Sequence, residues 1–114
     1  MVRRQRHPLP APVRAALGEL KAALAALYGE RFKGLYLYGS FARGTATADS
    51  DVDVLIALDG DPKPYTESDR LSALLADLCL KHDVLIASYP VPQAWLQERQ
   101  DPLFVNVRSE GILI

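Results

Sequence analysis

Two aspartates at i and i+2, Asp51 and Asp53, open a run that is apolar through Leu58, while an earlier apolar run, Leu35 to Tyr38, stops at a Gly39-Ser40 corner. Strand side chains alternate between faces, so both carboxylates point to one side, about 7 Å apart along the chain. Ten residues separate Ser40 from Asp51, enough for one or two helical turns and a loop, not for another strand and its turns. A glycine at the corner lets the backbone approach a ligand, and Ser40 can turn its hydroxyl and N–H toward an anion where a short helix starts. The pattern therefore predicts a phosphate seat facing half of a cation site.

Around this nucleus the chain reads as alternating helices and strands. Residues 1–11, with Arg3, Arg4, Arg6, Pro8 and Pro10, form a basic, irregular lead-in to a single domain over 12–114. Pro12 suits the first turn of a helix whose stripe is Leu17, Leu20, Leu24 and Leu27, with Gly29 as its stop. The first strand spans Phe32 to Tyr38, and a short helix from Ser40 to about Ala46 brings Arg43 round to face the same anion as Ser40. The second strand, Asp51 to Leu58, is apolar on both faces after its aspartates, which predicts a central strand covered on two sides. A third helix to Leu80 carries the stripe Leu71, Leu74, Leu75 and Leu78. The third strand is expected over Asp83 to Ser88, closed by Pro90 and Pro92. Two short helices follow, over Gln93 to Arg99 and Leu103 to about Glu110, before an apolar end. Joining strands two and three as a parallel pair through the third helix, with strand one antiparallel, gives an α/β (α+β) fold. Its sheet is small and mixed, of three strands or slightly more.

Composition narrows the function. At 114 residues the chain holds one core. No apolar stretch is long enough for a membrane span, and no secretory leader follows the arginines, so a cytoplasmic protein is expected. The lone Cys79 excludes an internal disulfide and a cysteine metal site. Residues 1–34 carry seven Lys or Arg against two acids, and 35–114 carry six against twelve. That balance argues against stable nucleic-acid binding and suits a divalent cation held by the acidic body.

In the predicted sheet, Asp83 opens on the same edge as Asp51 and Asp53. Crowded carboxylates with no His or Cys select Mg²⁺ or Mn²⁺ over zinc. A phosphate seat facing them is what nucleotidyl transfer needs, with two ions gripping the attacking and leaving oxygens. Asp51 and Asp53 are then the shared metal ligands. Asp83 ligates the second ion and helps deprotonate the acceptor, while Gly39, Ser40 and Arg43 hold the triphosphate.

These residues carry a family likeness. Gly39-Ser40, ten residues, Asp51-Val52-Asp53 and a later Asp83, with Leu-Tyr-Leu-Tyr-Gly-Ser-Phe-Ala-Arg-Gly before and Pro-Leu-Phe-Val-Asn-Val and Glu-Gly near the end, resemble the minimal nucleotidyltransferases of the polymerase-beta-like superfamily. The resemblance implies a nucleotidyltransferase fold, Mg²⁺ dependence and an NTP donor, often ATP. Members this small are often antitoxins that transfer AMP to a tyrosine of a partner HEPN-domain toxin. It leaves two other readings open: transfer to a small-molecule alcohol, and a non-catalytic module that masks a toxin by binding. So short a chain has little surface to select a base or an acceptor, so a partner or a second copy is expected to complete the pocket.

Overall fold

The computed structural model describes residues 9–114. The arginines of the expected lead-in lie outside the described residues, but its last positions are part of the fold. Leu9 is only 5% exposed within the core, and Pro10 caps a helix that begins at Ala11.

That helix, α1 (Ala11–Tyr28), buries Val13, Ala16, Leu17, Leu20 and Leu24. Burying a leucine completely is worth about 1.5–3 kcal/mol, so this stripe is what docks α1. The stripe ends differently from expectation: Leu27 is 49% exposed, and Tyr28, four residues after Leu24, turns inward. A 3₁₀ turn, Gly29–Arg31, leads into β1 (Phe32–Tyr38), followed by the single turn α2 (Ser40–Arg43) and β2 (Val52–Leu58). Helix α3 (Pro64–His82) and β3 (Ile86–Pro92) come next, then α4 (Gln93–Glu98), α5 (Pro102–Glu110) and the short β4 (Ile112–Leu113).

The four strands form one mixed sheet in the order β3-β2-β1-β4, with β1 antiparallel to both β2 and β4, and β2 parallel to β3. As the two-sided apolar pattern of β2 demands, both faces are covered. Val52, Val54, Ile56 and Leu58 join the core with α1 and α3, while Leu55 and Ala57 pack with Val91, Leu96, Phe104 and Val107 beneath α4 and α5. Asp53 lies on the same side of β2 as Leu55 and Ala57, Asp51 falls just before the strand, which starts one residue later than expected, and β2 stands between β1 and β3.

The third strand departs from the expected bounds. Helix α3 continues to His82, held there by Glu19 of α1, which accepts from Lys81 Nζ at 2.5 Å and pairs with the His82 ring. Lys81 first and His82 second keep the Glu19 carboxyl below its ordinary value. With the helix pinned, Asp83 becomes its cap, with left-handed backbone (φ 53°) and its N–H donating to the Cys79 carbonyl. Aspartate tolerates that conformation better than most residues. The strand therefore begins at Ile86 and runs through Pro90 and Pro92 instead of closing before them. It can do so because β3 is an edge strand, where a missing amide hydrogen need not break a ladder.

Candidate active site

The site forms where β1 ends and β2 begins. Tyr38 is the cross-strand partner of Asp53, so the next residue, Gly39, turns directly beside the Asp53 side chain. Gly39 adopts φ 75° and ψ −153°, a region open in practice only to glycine. A Cβ on it would lie 2.4 Å from Asp53 Oδ2. The corner thus requires glycine twice over, for its backbone and for the carboxylate that lies against it. The Gly39 carbonyl then accepts from the N–H groups of Ala42 and Arg43, both at 3.1 Å, closing the single turn of α2. In such a turn the N–H groups of Ser40 and Phe41 have no acceptor of their own, as suits an anion seat.

The loop into β2 is organised by its small polar residues. Thr47 N–H donates to Ser50 Oγ at 2.8 Å, Ser50 N–H to the Thr47 carbonyl at 3.1 Å, and Asp49 N–H to Thr47 Oγ1 at 3.3 Å. Val52 N–H then donates to the Leu85 carbonyl at 2.7 Å, fixing the start of the strand. Asp51 is exposed at this point and Asp53 is half-buried. The Asp53 carboxyl is pushed above its ordinary value, chiefly by burial and then by the Asp51 charge, with Arg43 pulling the other way. A hard cation would relieve that repulsion, and the donors present are carboxylate oxygens, so the pair fits Mg²⁺ or Mn²⁺.

Gly39, Ser40, Asp51 and Asp53 are thus gathered at one corner. Arg43 stands at its edge, where its guanidinium also pairs with Glu110 at 3.6 Å. Asp83 is not gathered there. As the cap of α3 it precedes the strand that flanks β2, and it lines a groove of about 820 Å³ with Asp49, Ser50, Phe41 and Leu85. The position on β3 beside Asp53 is Ala87. Among the described residues no three His, Cys, Asp or Glu side chains cluster as a metal site. On the other side, the β1 position beside Asp53 is Tyr38. The Tyr38 hydroxyl is raised above its ordinary value by burial, then by Asp53 and Tyr89. Two neighbours of the site are not among the residues expected from the sequence: Tyr38, which directly precedes the corner, and Glu110, whose approach to Arg43 depends on the fold of the chain's far end.

Comparison with known proteins places the chain in a family. The model of the family described as "Nucleotidyltransferase domain" matches residues 17–100, from within α1 to beyond α4. Two chains of Methanocaldococcus jannaschii are similar in sequence. "Putative protein adenylyltransferase MJ0604" is 39% identical over 71 residues, covering 62% of this chain and 65% of that protein. "Putative protein adenylyltransferase MJ0141" is 32% identical over 69 residues, covering 60% and 69%. The chain thus matches slightly less than two thirds of the first relative's length. Among solved structures, a toxin-antitoxin crystallised with AMP-PNP superposes with a TM-score of 0.58 at 18% identity, over 83% of this chain and 69% of that one. A mutant of the toxin-antitoxin MntA-HpeT gives 0.57 at 18% identity, over 85% and 70%. At such identities these two matches show a shared fold. Because the family model extends over most of the chain and includes both the glycine-serine corner and the aspartate pair, this chain belongs to the nucleotidyltransferase domain family.

Proposed function

We propose that this protein transfers a nucleoside monophosphate, AMP from ATP, to a hydroxyl acceptor, and that the acceptor is a tyrosine of a partner HEPN-domain toxin which the transfer silences. The observation that supports the reading is the closeness of the Asp53 carboxylate to the Gly39 corner, where an added Cβ would lie 2.4 Å from Asp53 Oδ2, so that a metal held by the aspartates would face phosphates held at the corner. The relatives named as protein adenylyltransferases support a protein acceptor, and the toxin-antitoxin neighbours support the kind of partner.

In this reading Asp51 and Asp53 would hold Mg²⁺, which when bound neutralises the triphosphate and draws charge off its α-phosphorus. The Ser40 and Phe41 N–H groups, the Ser40 hydroxyl and Arg43 hold the phosphates in place. The acceptor oxygen bonds to the α-phosphorus as the bond to pyrophosphate breaks. With Asp83 at the α3 cap, the acceptor's proton passes to solvent or to a group that arrives with the acceptor. Closure of the pocket by the partner fits the exposed position of Asp51.

One observation favours a non-catalytic antitoxin that acts by masking: among the described residues no third His, Cys, Asp or Glu joins Asp51 and Asp53 as a metal site. A single experiment separates the readings. The chain is incubated with α-³²P-ATP, Mg²⁺ and the HEPN ribonuclease, and label on the ribonuclease is followed together with RNA cleavage. Label that disappears in Asp51→Asn and Asp53→Asn, with toxin activity restored, is the expected result. Inhibition that survives both substitutions, with no label in the wild type, establishes masking instead.

A further inference from the structure

Glu110 is the last residue of α5, separated by Gly111 alone from the strand that pairs with β1. Ile112 is registered with Leu37, and Ile114 N–H donates to the Leu35 carbonyl at 2.9 Å, so the end of α5 is bonded to the strand that carries the corner. Gly111 makes the close passage from helix to strand: a Cβ on it would sit 2.4 Å from the Val107 carbonyl oxygen. At the end of α5 the Glu110 carboxylate lies 3.6 Å from Arg43 Nη1.

We propose that Glu110 is a positioning residue that holds the Arg43 guanidinium over the Gly39–Asp53 corner, so that an incoming triphosphate meets an arginine already oriented. The inference rests on the nucleotide-binding reading above. Arg43 is the last residue of a four-residue helix and is half exposed, so without a partner its long side chain would sample solvent. Ordering it beforehand lowers the entropic cost of binding. Guanidinium has five donors in a planar fork, so one edge can stay on Glu110 while another faces phosphate. Arg43 is itself tied to the corner, since its backbone N–H donates to the Gly39 carbonyl at 3.1 Å.

The test measures equilibrium binding of α,β-methylene-ATP with Mg²⁺ by calorimetry, for wild type, Glu110→Gln, Arg43→Ala and the double variant, with AMP as control ligand. Glu110→Gln should weaken the analogue about three- to fivefold, the scale of an exposed ion pair. It should leave AMP binding unchanged, and it should add nothing in the Arg43→Ala background. Glu110→Asp, which keeps the charge on a shorter arm, should fall between and guards against loss of fold in Glu110→Gln. Unchanged or tighter binding in Glu110→Gln, or an equal loss with Arg43 already removed, overturns the inference while leaving the nucleotide-binding reading intact. A wild type that binds neither ligand overturns both.

Discussion

Two shielded carboxylates, one near each end of β2, are treated in opposite ways. Glu67, in the first turn of α3, is 6% exposed, accepts a 2.6 Å hydrogen bond from the Tyr28 hydroxyl and has Arg70 Nη1 at 3.7 Å. Its surroundings satisfy its charge, and in return Tyr28, through burial and its bond to Glu67, is raised well above the ordinary phenol range. Asp53 is less buried, yet its surroundings oppose its charge: burial disfavours it and Asp51 repels it, with the half-exposed Arg43 pulling the other way. The first acid ties α1 to α3 and is complete within the fold. The second is not satisfied within the fold, and in the proposed reading a cation would complete it, which is how a fold pays in stability for a site.

Substitutions at the two acids break this comparison most directly. Asp53→Asn or Asp51→Asn should lower nucleotidyl transfer by at least about a hundredfold, whereas Glu67→Gln should stay within about twofold, as measured by initial rates of label transfer. Gly39→Ala should be the next largest, costing about 1–3 kcal/mol of backbone strain in urea unfolding and displacing Asp53, so that stability and transfer fall together. Tyr28→Phe leaves Glu67 short of a donor and should cost about 1–3 kcal/mol in the same unfolding assay with the transfer rate unchanged.

The smallest effect concerns pH and metal. A raised carboxyl binds its proton more tightly in the folded state than in the unfolded one. Its contribution is therefore favourable at low pH and is lost as pH rises through the raised value. In metal-free buffer at neutral pH, Asp53→Asn should then melt slightly above wild type. Adding Mg²⁺ should raise the wild-type Tm more than that of the variant. Equal melting curves with and without Mg²⁺ for both proteins would remove the contrast between the two acids.

Local pattern made much of this legible. The bounds of β1, the two-sided burial of β2 and the approach of Gly39-Ser40 to the aspartate pair all follow from alternation and from one glycine, because each depends on neighbours in sequence. What escaped depends on tertiary partners. Asp83 reads from the sequence as the mouth of a strand, but the Glu19 contacts with Lys81 and His82, from another helix, carry α3 to His82 and make Asp83 its cap. Leu27 and Tyr28 both suit the stripe of α1, and the Glu67 carboxylate selects the tyrosine. The position of Glu110 depends on the pairing of β4 with β1, a register that the short apolar end of the sequence does not announce.

The prolines inside β3 reach beyond the site. Pro90 and Pro92, two residues apart, lack amide hydrogens that would point the same way, and since pairing with β2 continues to Leu58 and Pro92, the shortage falls on the outer side. A foreign strand laid along that border would find gaps where it needs donors. Sheet-to-sheet stacking of copies through this border is thereby discouraged, and whatever binds there must be recognised by side chains, not by extending the backbone ladder.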